Sequence, residues 1–331
     1  MLHELRARAA SRPAHIVMSE GHDPRIVAGS VDAARAGIAR ITLVGPEADV
    51  KARLAEVGDT DTLPITIEDP ATSALTASLA DAFFEHRKHK GISVEAAQAA
   101  TADPLVFAAL MVRQGHADGT VGGAVATTSD TVRAALQVIG KAADAPLVSS
   151  FFLMALPENH PSGRTAMIFA DCGLVIDPDS RALAAIAVAS ARSCAQLLGD
   201  TPKIAMLSFS TAGSAKHPAV TKVTDAVAIL KAEHPDLHAD GELQFDAAFV
   251  PEVGAAKAPG SATAGQANVM VFPSLDAGNI GYKIAQRIGG CTAIGPVLQG
   301  LAKPANDLSR GCTAQDVTDI IAVTVLQAAS T

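Results

Sequence analysis

Short aliphatic runs alternate with segments of helical periodicity along almost the whole chain, and this alternation constrains the fold more than any other feature. His15–Met18, Ile41–Val44, Pro64–Ile67 and Asp118–Val121 read as strands, as do Leu147–Leu156, Thr165–Ala170, Ile204–Ser208, Val269–Phe272 and Cys291–Val297. Helices are expected from Asp23-Pro24 to Gly37, over Glu47–Val57, Ser73–Lys90, Asp103–Gln114 and Ser129–Ala142, from Asp177-Pro178 to Leu198, over Lys216–Glu233 and Ile280–Ile288, and from Thr313 to the end. Segment 251–266, rich in Ala, Gly and Pro, reads as an irregular connection. Such alternation implies parallel sheets with right-handed crossovers, an α/β class. The composition agrees: 49% of residues are hydrophobic but only 3% aromatic, with no Trp. The core is therefore aliphatic, as in parallel strands covered on both faces. A chain of 331 residues suits two domains of ordinary size and needs no disulfide or metal staple.

Charge narrows the partners. A formal net charge of −8 argues against nucleic acid and against an anionic membrane surface. No apolar run approaches the length of a membrane span, about 18 residues or more. The four cysteines, Cys172, Cys194, Cys291 and Cys312, are scattered and form no CxxC, and no signal peptide is evident. Reduced thiols in a cytoplasmic protein are the expectation. An acidic chain binds a small anion only by gathering cations locally, so individual basic residues matter.

Three segments place such residues at helix starts. In Asn306–Asp316, a polar turn precedes the apolar helix carrying Val317, Ile320, Ile321 and Val325. Thr313-x-x-Asp316 has capping-box spacing, which gives Asp316 a purely structural use. Arg310 faces the positive end of that helix, a cost of about 0.3–1 kcal/mol that an anionic ligand would reverse. The second segment, Gly122–Arg133, has glycines after a strand and the hydroxyls of Thr127, Thr128 and Thr131 near a helix start. These can cap the helix or hold a phosphate. That helix is expected to bury Val132, Leu136 and Ile139, which places Arg133 off the core face. In the third, Asp276–Lys283, Asn279 reads as an N-cap and Lys283 as a first-turn cation beside Tyr282. Glu85–His89 reads as a solvated, charged helix end, and Cys312 has no His nearby in sequence to activate it.

Taken in order, Asp103-Pro104, Gly115–Gly119, Gly123 with Thr127–Arg133, Phe169–Cys172, Phe272–Lys283 and Pro304–Gly311 closely resemble the phosphate acetyltransferases. The resemblance spans nearly the whole chain. It implies two α/β/α domains of the isocitrate and isopropylmalate dehydrogenase type, usually in a homodimer. The first domain would comprise 1–146 with 297–331. The second, 147–296, would form a cleft wall and the dimer contact. Asp316 would take the thiol proton of coenzyme A, Arg310 would hold the phosphoryl group, and Ser309 would hydrogen-bond near the reacting carbonyl. Arg87 and Arg133 match arginines linked to substrate binding in the family. Thr127, Thr128, Thr131, Asn279, Tyr282 and Lys283 lie in matching segments as further substrate contacts. The substrates would be coenzyme A or acetyl-coenzyme A and phosphate or acetyl phosphate, with no other cofactor and no metal. Two departures stand out: Ala126, where many relatives carry His, and an atypical loop at 158–163.

The chemistry constrains the base. A thiol of pKa about 8.5 exceeds an ordinary aspartate by about 4.6 units, roughly 6 kcal/mol for full transfer. Either desolvation helps, or the proton moves as sulfur attacks. A phosphotransacylase for propanoyl or butyryl groups stays open at this point, since one methylene changes selectivity by only about 1–3 kcal/mol. So does a non-catalytic acyl-coenzyme A-binding regulatory domain. A nicotinamide-dependent decarboxylating dehydrogenase would need clustered aspartates and a dinucleotide pocket, and neither is evident.

Overall fold

Two units make up the computed structural model, which describes residues 1–329. One comprises Leu2–Ala143 with the C-terminal segment from Leu301; the other is Asp144–Gly300. Elements are numbered along the whole chain.

The N-terminal part runs α1 (Leu2–Ala10), β1 (Ala14–Met18), α2 (Pro24–Arg35), β2 (Ala39–Val44), α3 (Glu47–Val57), β3 (Ile65–Glu68), α4 (Thr76–Arg87), α5 (Val94–Thr101), α6 (Pro104–Arg113), β4 (Gly119–Gly122) and α7 (Thr128–Val138). Helices α2 and α6 begin alike: Asp23 and Asp103 cap them through their side chains, and a proline follows in the first turn. Helices α1 and α5 were not expected. Each buries only two side chains, Leu5 with Ala9 and Ala97 with Thr101, too few to create a periodic signal.

The second unit contains β5 (Ser149–Ala155), β6 (Ala166–Ala170), α8 (Ser180–Leu198), β7 (Lys203–Leu207), α9 (Pro218–Glu233), β8 (His238–Leu243), α10 (Phe245–Phe249), α11 (Pro251–Lys257), β9 (Val269–Val271), α12 (Leu275–Arg287) and β10 (Thr292–Gln299). Its sheet has the order β10-β5-β6-β9-β7-β8. The β10–β5 and β5–β6 pairs are antiparallel and the others parallel. Three expectations change here. Segment 251–266 contains a helix, α11, whose Gly254 lets the chain at Ala264-Gly265 come so close that a Cβ would meet Gly265 N at 2.6 Å. Helix α8 is capped by Asp179, while Asp177 pairs with Lys222 at 2.8 Å. Residues 297–299 complete β10 in this unit, paired to Ser149–Phe151, and do not belong with the first unit.

The chain then returns with β11 (Ala305–Asp307) and α13 (Ala314–Ala328). Strand β11 pairs with β4, Ala305 to Thr120 through Asp307 to Gly122, completing an all-parallel sheet of order β11-β4-β1-β2-β3. Helix α13 packs closely on α2 at Gly29, where a Cβ would lie 2.4 Å from Ala314 O. Both sheets carry aliphatic cores: β1 buries Ile16, Val17 and Met18, and β9 buries Val269, Met270 and Val271.

Candidate active site

Helix α13 is positioned by β11 and by the loop between them. At its start Thr313 and Asp316 form the complete capping box. The Thr313 N–H and hydroxyl donate to Asp316 Oδ2 at 2.8 and 2.9 Å, and the Asp316 N–H donates to Thr313 Oγ1 at 3.2 Å. The structural use of Asp316 is thus realised, yet both bonds fall on one oxygen and the residue stays partly exposed. The box leaves the Ala314 and Gln315 amides unused. Ser309 and Arg310 are exposed on the preceding loop, where the Gly311 N–H donates to Ser309 Oγ at 3.3 Å. Among the described residues no carboxylate pairs with Arg310. Cys312 is buried, which pushes its thiol up, and Arg25 opposes that only partly. This suits a structural cysteine better than a nucleophile.

The Gly-rich loop after β4 is not an open phosphate cradle. Glu20, buried at the end of β1, accepts from the N–H groups of Ala124 (2.7 Å), Val125 (3.1 Å) and Ala126 (2.7 Å). An internal carboxylate fills the nest that an anion would otherwise occupy. Behind the loop, Asp307 is 0% exposed, and neither oxygen has a hydrogen-bond partner. Burial pushes its carboxyl up to about 6; Glu20 adds to the shift, while the Thr128 and Thr131 hydroxyls and the Leu308 amide oppose it. Only glycine fits at 123, since a Cβ there would lie 2.0 Å from Asp307 Oδ1.

Helix α7 starts at Thr128, with Thr127 as N-cap accepting from Asp130 N at 3.2 Å. Its Asp130, partly exposed, also pairs with the exposed Arg133 at 2.7 Å. Thr131 faces inward with Val132, but Leu136 is 42% exposed and does not join the core as expected. Arg87 lies at the C-terminal end of α4, partly buried. His86 beside it contacts the backbone at Gln137, and its imidazole is held below the ordinary value by burial and by Arg113 and Arg87.

Asn279, Tyr282 and Lys283 belong to the other unit. Helix α12 begins at Leu275 with Ser274 as N-cap, so Asn279 is in the second turn and Lys283 in the third. The N-cap and first-turn readings of these two residues are corrected accordingly. Asn279 donates from Nδ2 to Cys172 O at 3.1 Å and accepts from Lys283 Nζ at 2.7 Å. Tyr282 stacks on Phe152 with ring centroids 3.9 Å apart. Asp171, just before Cys172, is saturated by the amides of Ser150, Gly173, Leu174 and Val175, which fixes the loop Asn279 touches.

Residues 1–325 match the model of a family described as phosphate acetyl/butaryl transferase. The chain belongs to that family. A phosphate acetyltransferase of Paracoccus denitrificans is 51% identical over 327 residues, covering 98% of each chain. One from Bacillus subtilis is 46% identical over 321 residues, 97% of each chain. Among solved structures, a phosphotransacetylase from Streptococcus pyogenes superposes with a TM-score of 0.91 at 44% identity, covering 99% of this chain and 98% of the other. A branched-chain phosphotransacylase from Enterococcus faecalis, at 19% identity and a TM-score of 0.69 over 95% of this chain and 98% of the other, shares the fold.

Within this member of the acetyl/butaryl transferase family, three groups near the candidate residues had not been singled out from sequence: Glu20, Arg25 and the side chain of Asp307. Arg25 carried a usable signal, a cation in the first turn of a helix, the same feature that drew attention to Arg310. Glu20 and Asp307 carried none, because their contacts lie far away in sequence.

Proposed function

We propose that this chain exchanges an acetyl group between coenzyme A and inorganic phosphate, with Ser309, Arg310 and Asp316 at the reacting centre. The observation that carries the reading is the start of α13. There an exposed arginine without a carboxylate partner and a partly exposed aspartate share one short loop and one helical turn. Arg310, with the dipole of α13, would receive the phosphoryl group of acetyl phosphate. The thiol sulfur attacks the carbonyl carbon as Asp316 takes its proton. The new S–C bond forms, the C–O bond to phosphorus breaks, and the proton finally leaves with phosphate. Moving the proton in step with attack avoids forming a free thiolate against an ordinary carboxylate. Phosphate is a good leaving group, so cations and oriented N–H groups supply the remaining stabilisation and no further cofactor is invoked.

Arg133, on α7, and Arg87, at the C-terminal end of α4, are assigned to the phosphates of an extended ligand such as coenzyme A, with Thr127, Thr128 and Thr131 around the start of α7. Asn279, Tyr282 and Lys283 are assigned to substrate contacts of the second unit. The assembly proposed is a homodimer in the cytoplasm. Helix α12 and its C-cap expose Ile280, Ile284 and Ile288, at 58%, 53% and 84%, as one stripe at four-residue spacing, the kind of face a second copy covers. Among the described residues no helix is long and apolar enough to cross a membrane, and all four cysteines are free. Thiol release from acetyl-, propanoyl- and butyryl-coenzyme A, with and without phosphate, tests the function. Phosphate-dependent release, fastest with acetyl, is expected; release independent of phosphate would make the chain a thioesterase instead.

A further inference from the structure

We propose that Arg25 is a positioning residue for acetyl transfer, its guanidinium fixing the backbone of loop 309–312 against the Gly-rich loop after β4. The proposal rests on the function just given. A guanidinium has five N–H donors in one plane, and every one of them is used here. Nε donates to Asp23 Oδ1 at 3.0 Å. Nη2 donates to Asp23 Oδ2 at 2.9 Å and to Ala124 O at 2.8 Å. Nη1 donates to Arg310 O at 2.7 Å and to Cys312 O at 3.3 Å.

The anchor is firm on one side. Asp23 is buried and already committed as the N-cap of α2, so the two-point pairing fixes the plane of the fork. Ala124 is held from both faces, its carbonyl by Arg25 and its N–H by Glu20 at 2.7 Å. The loop that carries Ser309 and Arg310 has less support. Its own bonds are local, Gly311 N to Ser309 Oγ and Cys312 N to Ser309 O. Among the described residues, the side-chain bonds that reach the backbone of 309–312 from outside come from Arg25. Without that tie, Arg310 would sit on a loop flanked by Gly311 and free to drift. A displacement near 1 Å at a reacting centre lowers rate by as much as about 100-fold.

Lysine cannot replace this fork. It has three donors on a point charge and no plane to match two carboxylate oxygens and two separate loops at once. The test uses the whole chain, with phosphate-dependent acetyl-coenzyme A turnover as the readout and thermal unfolding as the control. Arg25→Lys should keep the wild-type unfolding midpoint within a few degrees, lower kcat at least about tenfold, and leave KM for coenzyme A within about threefold. In Arg25→Gly, millimolar ethylguanidine should restore a large part of kcat, and it should do nothing for Arg310→Ala. If Arg25→Gly does not fold, Arg25→Lys alone decides. A kcat for Arg25→Lys within twofold of wild type would overturn the proposal. So would a loss confined to KM, which would make Arg25 a ligand contact, or a loss matched by the unfolded fraction and not rescued. A wild-type chain without phosphate-dependent turnover would fail the functional reading instead.

Discussion

Replacing Asp307 with asparagine should change how stability depends on pH, in a direction opposite to most aspartates. The carboxyl lies at 0% exposure at the end of β11 without a hydrogen-bond partner, and burial raises it from 3.8 to about 6. The unfolded chain releases this proton near 3.8, whereas the folded chain holds it until about 6. Folding is therefore unopposed by this group at low pH, and its destabilising effect grows as pH rises through that window. A shift of this size corresponds to about 3 kcal/mol at neutral pH, of which about 2 kcal/mol develops between pH 4.5 and 7.5. Asparagine is nearly isosteric and does not titrate. Any fixed packing cost of the amide cancels when its stability relative to wild type is compared at the two pH values. Urea unfolding followed by circular dichroism, on both proteins at both values, gives that difference. Asp307→Asn should gain about 2 kcal/mol relative to wild type from pH 4.5 to pH 7.5. A relative stability that does not move with pH would mean that Asp307 is ionised in the folded chain and hydrogen-bonded after all.

Asp316→Asn should cut turnover by about 100-fold or more and flatten the acid limb of the pH–rate profile, while costing less than about 1 kcal/mol because an amide oxygen can still accept within the capping box. A near-normal rate would reduce Asp316 to a helix cap. Arg310→Lys keeps the charge but loses the fork, so KM for acetyl phosphate should rise or kcat fall by at least about tenfold; unchanged kinetics would remove the phosphoryl assignment. If the proposed homodimer uses the exposed stripe of α12, wild type should sediment as a dimer and Ile284→Glu as a monomer in analytical ultracentrifugation at micromolar concentration. An unaltered dimer would place the contact elsewhere.

Much of the fold was legible because its signals were local. The Asp-Pro starts of α2 and α6, the aliphatic strands and the Thr313-to-Asp316 box all declare themselves within a few residues. Helix α12 did not. Asp276-Ala277-Gly278-Asn279 looks like a turn, but all four residues are helical, and glycine stands at 278 because the helix passes so close to Asp171 that a Cβ would meet its carbonyl oxygen at 2.3 Å. A tertiary contact, invisible in the local pattern, overrode the turn reading of that glycine. The Gly-rich loop failed in the same way: its amides do form a nest, but the carboxylate that fills it comes from Glu20, in the turn after β1 and about a hundred residues away in sequence. The residues around Arg310 were readable as chemistry, and the scaffold that holds them was not.

The late return of β11 to the side of β4 has a consequence for synthesis. The first sheet cannot be finished until the ribosome has delivered residues 144–300, an interval on the order of 10–30 seconds at ordinary elongation rates. Throughout it, β4 has an open flank where β11 will pair, and α2 lacks the helix that will cover Gly29. A nascent chain stalled before residue 301 should thus have a folded inserted unit and an incomplete outer one, and the capacity for acetyl transfer would arrive only with the last few turns of polypeptide.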